Sequence, residues 1–336
     1  MILPHFTHHT PGTVQDCIKI LTEAEYKPQI LAGGSDLLVR MKLGLTTPGE
    51  LVSLSNMDEL QEISCDPKRG LTIGAGVTLA RLVSDPLVNE KCPVIARAAD
   101  LVATKQVRNI ATLGGNILQN TRCRYYNRSA EWGKAVAPCY KRGGELCHVI
   151  AGKRCFAVYQ GDLAPVLIAL QATVRLLSKE KDIEVDLESL YSKDGAAPFN
   201  DLKGRLLEQI TIPAPSLTCR SDYKKYRLRE GIDFPLAGVA VTLKEKHGFV
   251  EDLRVCLTGV ASRPVLLTFN GETAVGKPLN QNLIKEVGQM VYAAARPLPN
   301  LEGEPSRRRA MTRILTEDIL TSLQYKENGA RCFDEQ

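Results

Sequence analysis

Apolar and polar positions alternate along this chain with two periods, and the switches between them mark its elements. After Thr13, the residues Val14, Cys17, Ile18 and Leu21 fall on one face of a helix. The short apolar run Gln29-Ile30-Leu31-Ala32 predicts a strand, which breaks at Gly33-Gly34-Ser35-Asp36 into a helix through Leu37, Leu38 and Met41. Leu51 to Leu54 and Leu71 to Ala75 predict two further strands, and Thr78 stands where it would cap the next helix. Pro93 to Leu101 predicts a helix, and a second glycine break follows at Leu113-Gly114-Gly115-Asn116. Leu163 to Leu170 predicts a buried helix; Thr173 to Leu177 and Leu206 to Ile212 predict strands. Pro213-Ala214-Pro215-Ser216 has the composition of a linker. Beyond it Tyr223 to Leu228, Ala237 to Leu243 and Leu253 to Leu257 read as strands. Leu283 to Ala295 and Arg308 to Leu323 read as helices, the latter with Met311, Ile314, Leu315, Ile319 and Leu323 on one face. The tail from Asn328 is expected to fray.

A length of 336 residues exceeds one small domain and predicts two or three. No repeat or low-complexity tract interrupts it. With 44% hydrophobic and 24% charged residues the composition is that of a soluble globular protein. The net charge of +5 is spread out, its densest run being Arg307-Arg308-Arg309, so nucleic acid is not an expected partner. No segment is apolar for long enough to span a membrane, and the N-terminus lacks the pattern of a signal peptide. A cytoplasmic location is expected, where the ten cysteines would serve as core residues or metal ligands rather than disulfides.

The two double-glycine segments carry candidate chemistry. A strand-to-helix turn rich in glycine lets backbone N–H groups approach the pyrophosphate of a dinucleotide. Leu31-Ala32-Gly33-Gly34-Ser35-Asp36-Leu37 fits that description, and Ala111-Thr112-Leu113-Gly114-Gly115-Asn116-Ile117 is a second such loop. A lone glycine pair is more often a plain turn, and neither segment has the spacing of the Rossmann fingerprint.

Four cysteines, Cys123, Cys139, Cys147 and Cys155, fall in a polar stretch rich in Arg, Lys, Gly and Tyr. Such a loop has little core of its own, so a metal centre would organise it. Thiolates suit iron–sulfur clusters and zinc alike. The spacing lacks the close pairs common at zinc sites, and it does not choose between a cluster, zinc and four unligated buried cysteines. The basic neighbours Arg122, Arg124, Lys141, Arg142, Lys153 and Arg154 would balance a site with excess negative charge. His5, His8 and His9 precede the first helix in a segment that reads as irregular and are not expected to bind metal; Trp132 is expected to pack the loop.

Taken together, four segments in order resemble the FAD-binding medium subunits of molybdenum hydroxylases. They are Ile30 to Leu38; Val107 to Asn116; Gly161-Asp162-Leu163-Ala164-Pro165 through Leu170; and Lys225-Tyr226-Arg227-Leu228-Arg229 with Asp233. The resemblance implies an α+β protein: a two-part FAD-binding domain of the PCMH/VAO type, then a C-terminal α/β-plait domain of the CO dehydrogenase flavoprotein type. It implies divisions at 1–56, 57–215 and 216–330, with an insertion at about 118–158. It implies FAD contacts from Gln29, Ile30, Leu31, Ala32, Gly33, Gly34, Ser35, Asp36 and Leu37, and from Thr112, Leu113, Gly114, Gly115 and Asn116. Asp162 would lie near the adenosine or ribose, and Leu207 and Lys225 would line the flavin side. Residues 119–127, with Cys147-His148-Val149-Ile150 and Cys155, resemble the 4-hydroxybenzoyl-CoA reductase branch, whose flavin subunits carry a [4Fe-4S] cluster in an insertion. The resemblance makes Cys123, Cys139, Cys147 and Cys155 the cluster ligands.

The activity so implied is electron transfer without substrate chemistry on this chain, and so without a catalytic acid, base or nucleophile. The implied partners are a molybdopterin-containing large subunit, a [2Fe-2S] small subunit and a ferredoxin-type donor, assembled as a dimer of heterotrimers. Two alternatives stand beside it: the flavin subunit of another xanthine dehydrogenase-type hydroxylase, and a non-redox assembly protein with a structural zinc loop.

Overall fold

The computed structural model describes residues 3–24, 28–200 and 202–328. Asn328, where fraying was expected to begin, is still helical, and the rest of that tail, with Cys332, lies outside the described residues. Three sheets follow one another along the chain. The first is parallel and small: β1 (Thr7–His9), β2 (Gln29–Leu31) and β3 (Glu50–Ser53), in the order β1-β3-β2. Its connections are the helices Val14–Glu23 and Leu37–Lys42. Thr13 caps the first of these, its hydroxyl accepting from the Asp16 N–H at 3.1 Å. Val14 and Cys17 are buried with Val52, Met57, Leu60, Leu177 and Leu206. The segment of His8 and His9 is therefore a strand rather than irregular. Three residues are too few for an alternation to register in the sequence, and pairing with β3 decides. His9 Nε2 meets Glu50 Oε2 at 2.8 Å.

The second sheet is antiparallel throughout: β4 (Ile63–Asp66), β5 (Gly70–Gly74), β6 (Thr173–Leu177), β7 (Ile183–Asp186) and β8 (Leu206–Pro213), in the order β4-β5-β8-β6-β7. β4 and β7 are its edges. Only alternate residues of each are even half-buried, which is why polar, charged sequences there give no apolar signal. Between β5 and β6 the chain lays down helices that include Pro93–Asp100, Leu113–Ile117 and Leu163–Ala169. The last is buried along its whole length and joins β5, β6 and β8 in the main core.

The third sheet has the order β12-β11-β10-β9, with β9 (Arg220–Tyr226), β10 (Ala237–Lys246), β11 (Phe249–Thr258) and β12 (Val265–Thr268) antiparallel. The β10–β11 hairpin runs past the apolar residues to Lys246. His247 and Gly248 turn it with φ of 54° and 81°, a pair of left-handed residues whose twist suits a two-residue loop. Helices Gln281–Ala294 and Pro305–Asn328 cover this sheet, with Leu315, Ile319 and Leu323 buried; Ile314, expected on the same face, is largely exposed. The expected linker is instead a 3-10 turn, Ala214–Thr218, with Ser216 buried.

The arginine run is not a surface patch. Arg308 is fully buried and donates to Leu236 O at 3.0 Å, Leu298 O at 2.7 Å and Gly259 O at 2.5 Å. Burial lowers its pKa to about 10. Arg308→Met keeps most of the volume and orphans three carbonyls. We expect a loss of about 2–3 kcal/mol in urea unfolding, with the exposed Arg307→Met near neutral by comparison.

Candidate functional site

The two glycine segments meet at backbone contact. A Cβ on Gly33 would stand 1.8 Å from Ile110 O, so only glycine lets β2's end reach the 110–112 segment. Gly34 follows in the left-handed region at φ 70°. The second segment differs from expectation: no strand precedes it, and Gly114 and Gly115 lie inside the short helix Leu113–Ile117. Thr112 caps that helix, its hydroxyl accepting from Gly115 N–H at 3.1 Å. A Cβ on Gly114 would touch Ala75 O at 3.0 Å, so here glycine serves close packing on β5's end as well as access.

Between the segments lies a cleft of about 740 Å³. Of the residues singled out from the sequence, Gln29, Ile30, Ala32, Gly33, Gly34, Ser35, Asp36, Leu37, Thr112, Gly114, Gly115 and Leu207 line it. Leu31, Leu113, Asn116, Asp162 and Lys225 do not. Leu31 pairs in the parallel sheet, Leu113 is buried in the main core, and Asn116 Oδ1 accepts from Leu163 N–H at 3.3 Å. The cleft also has walls the sequence did not mark: Arg40, Gln119 and Asn120 on one side, and Phe199 with residues 202–206 on the other. Gln119 and Asn120 open the segment marked above for the cysteine loop and not for the cleft; the others belong to no motif, and all converge only through the fold.

The cleft fits a diphosphate-bearing ligand. Its glycine segments leave backbone exposed, Arg40, Lys203 and Arg205 supply positive charge, and Arg40 Nε and Gln119 Nε2 are buried donors without a hydrogen-bond acceptor among the described residues. Asp36, at the helix start, makes no side-chain cap bond. Its carboxylate instead accepts from Arg122 Nη2 at 2.8 Å and from Asn120 N–H at 3.3 Å.

Asp162 and Lys225 form a second feature. Lys225 Nζ lies 3.0 Å from Asp162 Oδ1 with both side chains almost wholly buried, and it donates to Leu101 O at 2.7 Å and Asp233 O at 3.3 Å. Tyr223 OH donates to the same Asp162 oxygen at 2.9 Å. Burial pushes the Asp162 carboxyl above its ordinary range while Lys225 pulls it back down. The pair ties the helix Leu163–Ala169 to β9.

Cys123, Cys139, Cys147 and Cys155 are all buried and line one small cavity with Tyr125, Tyr126, Tyr140, Lys141, His148 and Val149. Burial raises the Cys123 thiol and pushes Cys155 up to about 11, and the neighbouring cysteines push each in the same direction. Lys141 faces them, lowered by its own burial to about 8. Ala157 N–H donates to Cys155 Sγ at 3.3 Å. Among the described residues no set of three or more His, Cys, Asp or Glu side chains converges on a single metal-ion position. Of the flanking basic residues, Arg142 holds the loop by donating to Tyr126 O at 2.9 Å, and Arg154 stacks on Phe156. Trp132, on the helix Ala130–Ala135, is half-buried, with the Arg128 guanidinium of the same loop 5.7 Å from its ring centroid. The other described cysteines are unpaired, with Cys17, Cys92 and Cys256 buried and Cys65 and Cys219 partly so.

Among the described residues no helix is long and apolar enough to cross a membrane. Residues 4–215 match the family described as the FAD binding domain in molybdopterin dehydrogenase, and residues 221–323 match the CO dehydrogenase flavoprotein C-terminal domain. The chain is 32% identical, over 70% of its length and 76% of the relative's, to the aldehyde oxidoreductase FAD-binding subunit PaoB of Escherichia coli. It is 26% identical, over 94% of its length and 97% of the relative's, to the glyceraldehyde dehydrogenase medium chain of Sulfolobus acidocaldarius. Among solved structures, carbon monoxide dehydrogenase from Hydrogenophaga pseudoflava superposes with a TM-score of 0.80 at 23% identity, covering 97% of this chain and 99% of that one, which shows the fold. The chain thus belongs to the family of FAD-binding medium subunits of the molybdenum hydroxylases, oxidoreductase subunits built from these two domains.

Proposed function

We propose that this chain is an electron-transfer subunit carrying both FAD and a [4Fe-4S] cluster, within a 4-hydroxybenzoyl-CoA reductase-type molybdenum enzyme. The observation that carries the reading is the ring of four buried thiols around one cavity, beside the dinucleotide cleft. Thiolates suit zinc and iron–sulfur clusters alike; what favours a cluster is the likeness of residues 119–127, of Cys147 to Ile150 and of Cys155 to the 4-hydroxybenzoyl-CoA reductase branch. Membership of a flavoprotein oxidoreductase family speaks against the non-redox zinc-loop reading.

In this reading the cleft residues Gln29 to Leu37 other than Leu31, with Thr112, Gly114, Gly115 and Leu207, hold FAD directly. Leu31, Leu113 and Asn116 position those loops from behind, and the Asp162–Lys225 pair, which does not line the cleft, braces the helix Leu163–Ala169 against β9. Cys123, Cys139, Cys147 and Cys155 ligate the cluster, releasing protons as they become thiolates. When bound, the two groups supply exchange of electrons singly or in pairs, which no side chain of this protein offers. The partners are then a molybdopterin-containing large subunit, a [2Fe-2S] small subunit and a ferredoxin-type donor, arranged as a dimer of heterotrimers in the cytoplasm. The overall reaction is reductive dehydroxylation of 4-hydroxybenzoyl-CoA to benzoyl-CoA.

A second reading, the flavin subunit of an oxidising hydroxylase, is favoured by relatives named for aldehyde and carbon monoxide oxidation. Product analysis of the assembled enzyme separates the two: formation of benzoyl-CoA with a reduced ferredoxin supports the first, and turnover of aldehydes alone the second. The cluster itself is tested by Cys139→Ser. This variant is expected to lose the low-temperature electron paramagnetic resonance signal of the reduced cluster while still binding about one FAD per chain. A full cluster signal in that variant would refute the ligand set.

A further inference from the structure

Resting on that reading, we infer that Lys141 and Asp36 are positioning residues coupling the two sites, so that a loaded cluster tightens the cleft's grip on FAD. Asp36 lines the cleft and Lys141 lines the cysteine cavity. Between them runs a continuous chain of bonds through residues 120–122. Lys141 Nζ donates to Asn120 Oδ1 at 2.5 Å, to Thr121 Oγ1 at 2.6 Å and to Thr121 O at 3.2 Å. Asn120 N–H and Arg122 Nη2 then both donate to the Asp36 carboxylate. Arg122 also stacks on Phe234, 3.8 Å from the ring centroid, so the chain of contacts reaches the connection between β9 and β10. Cys123 is the next residue along the backbone.

The charges explain why this chain should respond to the cluster. Each bond from Lys141 goes to a neutral oxygen; the groups whose negative charge can balance it are the sulfurs, Cys155 foremost, and the Asp36 carboxylate. Four thiolates around a cluster leave a net negative charge in a poorly solvated cavity, where attraction to an ammonium is strong. That attraction holds Lys141, hence Asn120 and Thr121, hence the carboxylate that orients the Gly33-Gly34 loop. With neutral thiols the anchor at the cysteine end is weaker, and the segment 119–122 has less to fix it. Coupling between two sites is reciprocal, so FAD should slow cluster loss by the same free energy.

FAD affinity is measured by flavin fluorescence on full-length, flavin-stripped protein. One sample is cluster-loaded under anaerobic conditions; the other has had its iron removed by chelation and is shown to recover on reconstitution with ferrous iron and sulfide. The expected result is FAD binding at least about tenfold tighter in the loaded protein. Lys141→Met should bring that ratio close to one, and Lys141→Arg, which keeps the charge, should restore most of it. Asp36→Asn cuts the same chain at the cleft end and should also flatten the ratio, which guards against a Lys141→Met protein that fails to fold. Equal FAD affinity with and without iron in the unaltered protein overturns the coupling, as does a ratio unchanged by both Lys141→Met and Asp36→Asn. Protein that takes up no iron and sulfide at all fails at the earlier step, the cluster assignment.

Discussion

Gly33→Ala is expected to yield protein that purifies without FAD. The added Cβ would sit 1.8 Å from Ile110 O, and the next contacts are also backbone, at Ile110 C and Ala111 Cα. No rotamer relieves a clash between two main chains, so the 33–35 turn and the 110–112 segment must separate. The cleft is built from those two segments, and a shift of an ångström spoils every backbone donor aimed at a bound diphosphate. We expect FAD affinity to fall by about a hundredfold or more, on the order of 3 kcal/mol. Gly12→Ala, where nothing lies within 4 Å of the new atom, should bind FAD normally. Equilibrium dialysis of the two variants checks this, and equal FAD retention would mean the two segments do not meet as described.

Lys225→Met should be the most destabilising single change to the buried polar network. It leaves the Asp162 carboxylate inside the protein with Tyr223 OH as its one side-chain donor, and it strips Leu101 O and Asp233 O of their shared donor. Breaking a buried pair from one side typically costs about 3–5 kcal/mol, because the remaining charge has no partner. The second half of the prediction is a recovery. Lys225→Met combined with Asp162→Asn removes both charges and should regain about half of the loss. Urea unfolding of the flavin-free proteins reads both quantities. A Lys225→Met variant as stable as the parent would show that the pair is solvated.

The order of the elements was legible in the sequence wherever one face of an element enters a core. Val14, Cys17, Ile18 and Leu21 marked the first helix, and the run Leu163 to Leu170 marked a helix buried on every side. The misses have a common cause. β1, β4, β7 and β12 are edge strands of three or four residues, and pairing rather than apolar content makes them strands. Glycine pairs signalled the cleft but not their geometry. The same Gly-Gly dipeptide serves a left-handed turn at Gly34 and a packed helical turn at Gly114. Arg40, Lys203 and Arg205 were invisible because no local pattern announces a residue that matters only after three distant segments converge. Similarly, basic residues near the cysteines were expected to act alike. The fold gives them separate work, Lys141 at the cavity, Arg122 on Asp36 and Arg142 on loop carbonyls.

The central claim is that one polypeptide houses a flavin dinucleotide and an iron–sulfur centre on adjoining walls. Anaerobic purification of the full chain, followed by iron, acid-labile sulfide and flavin analysis of the same sample, addresses it directly. About four irons, about four sulfides and about one FAD per chain are the expected counts. One FAD with stoichiometric zinc, or with no iron even after reconstitution, would contradict it.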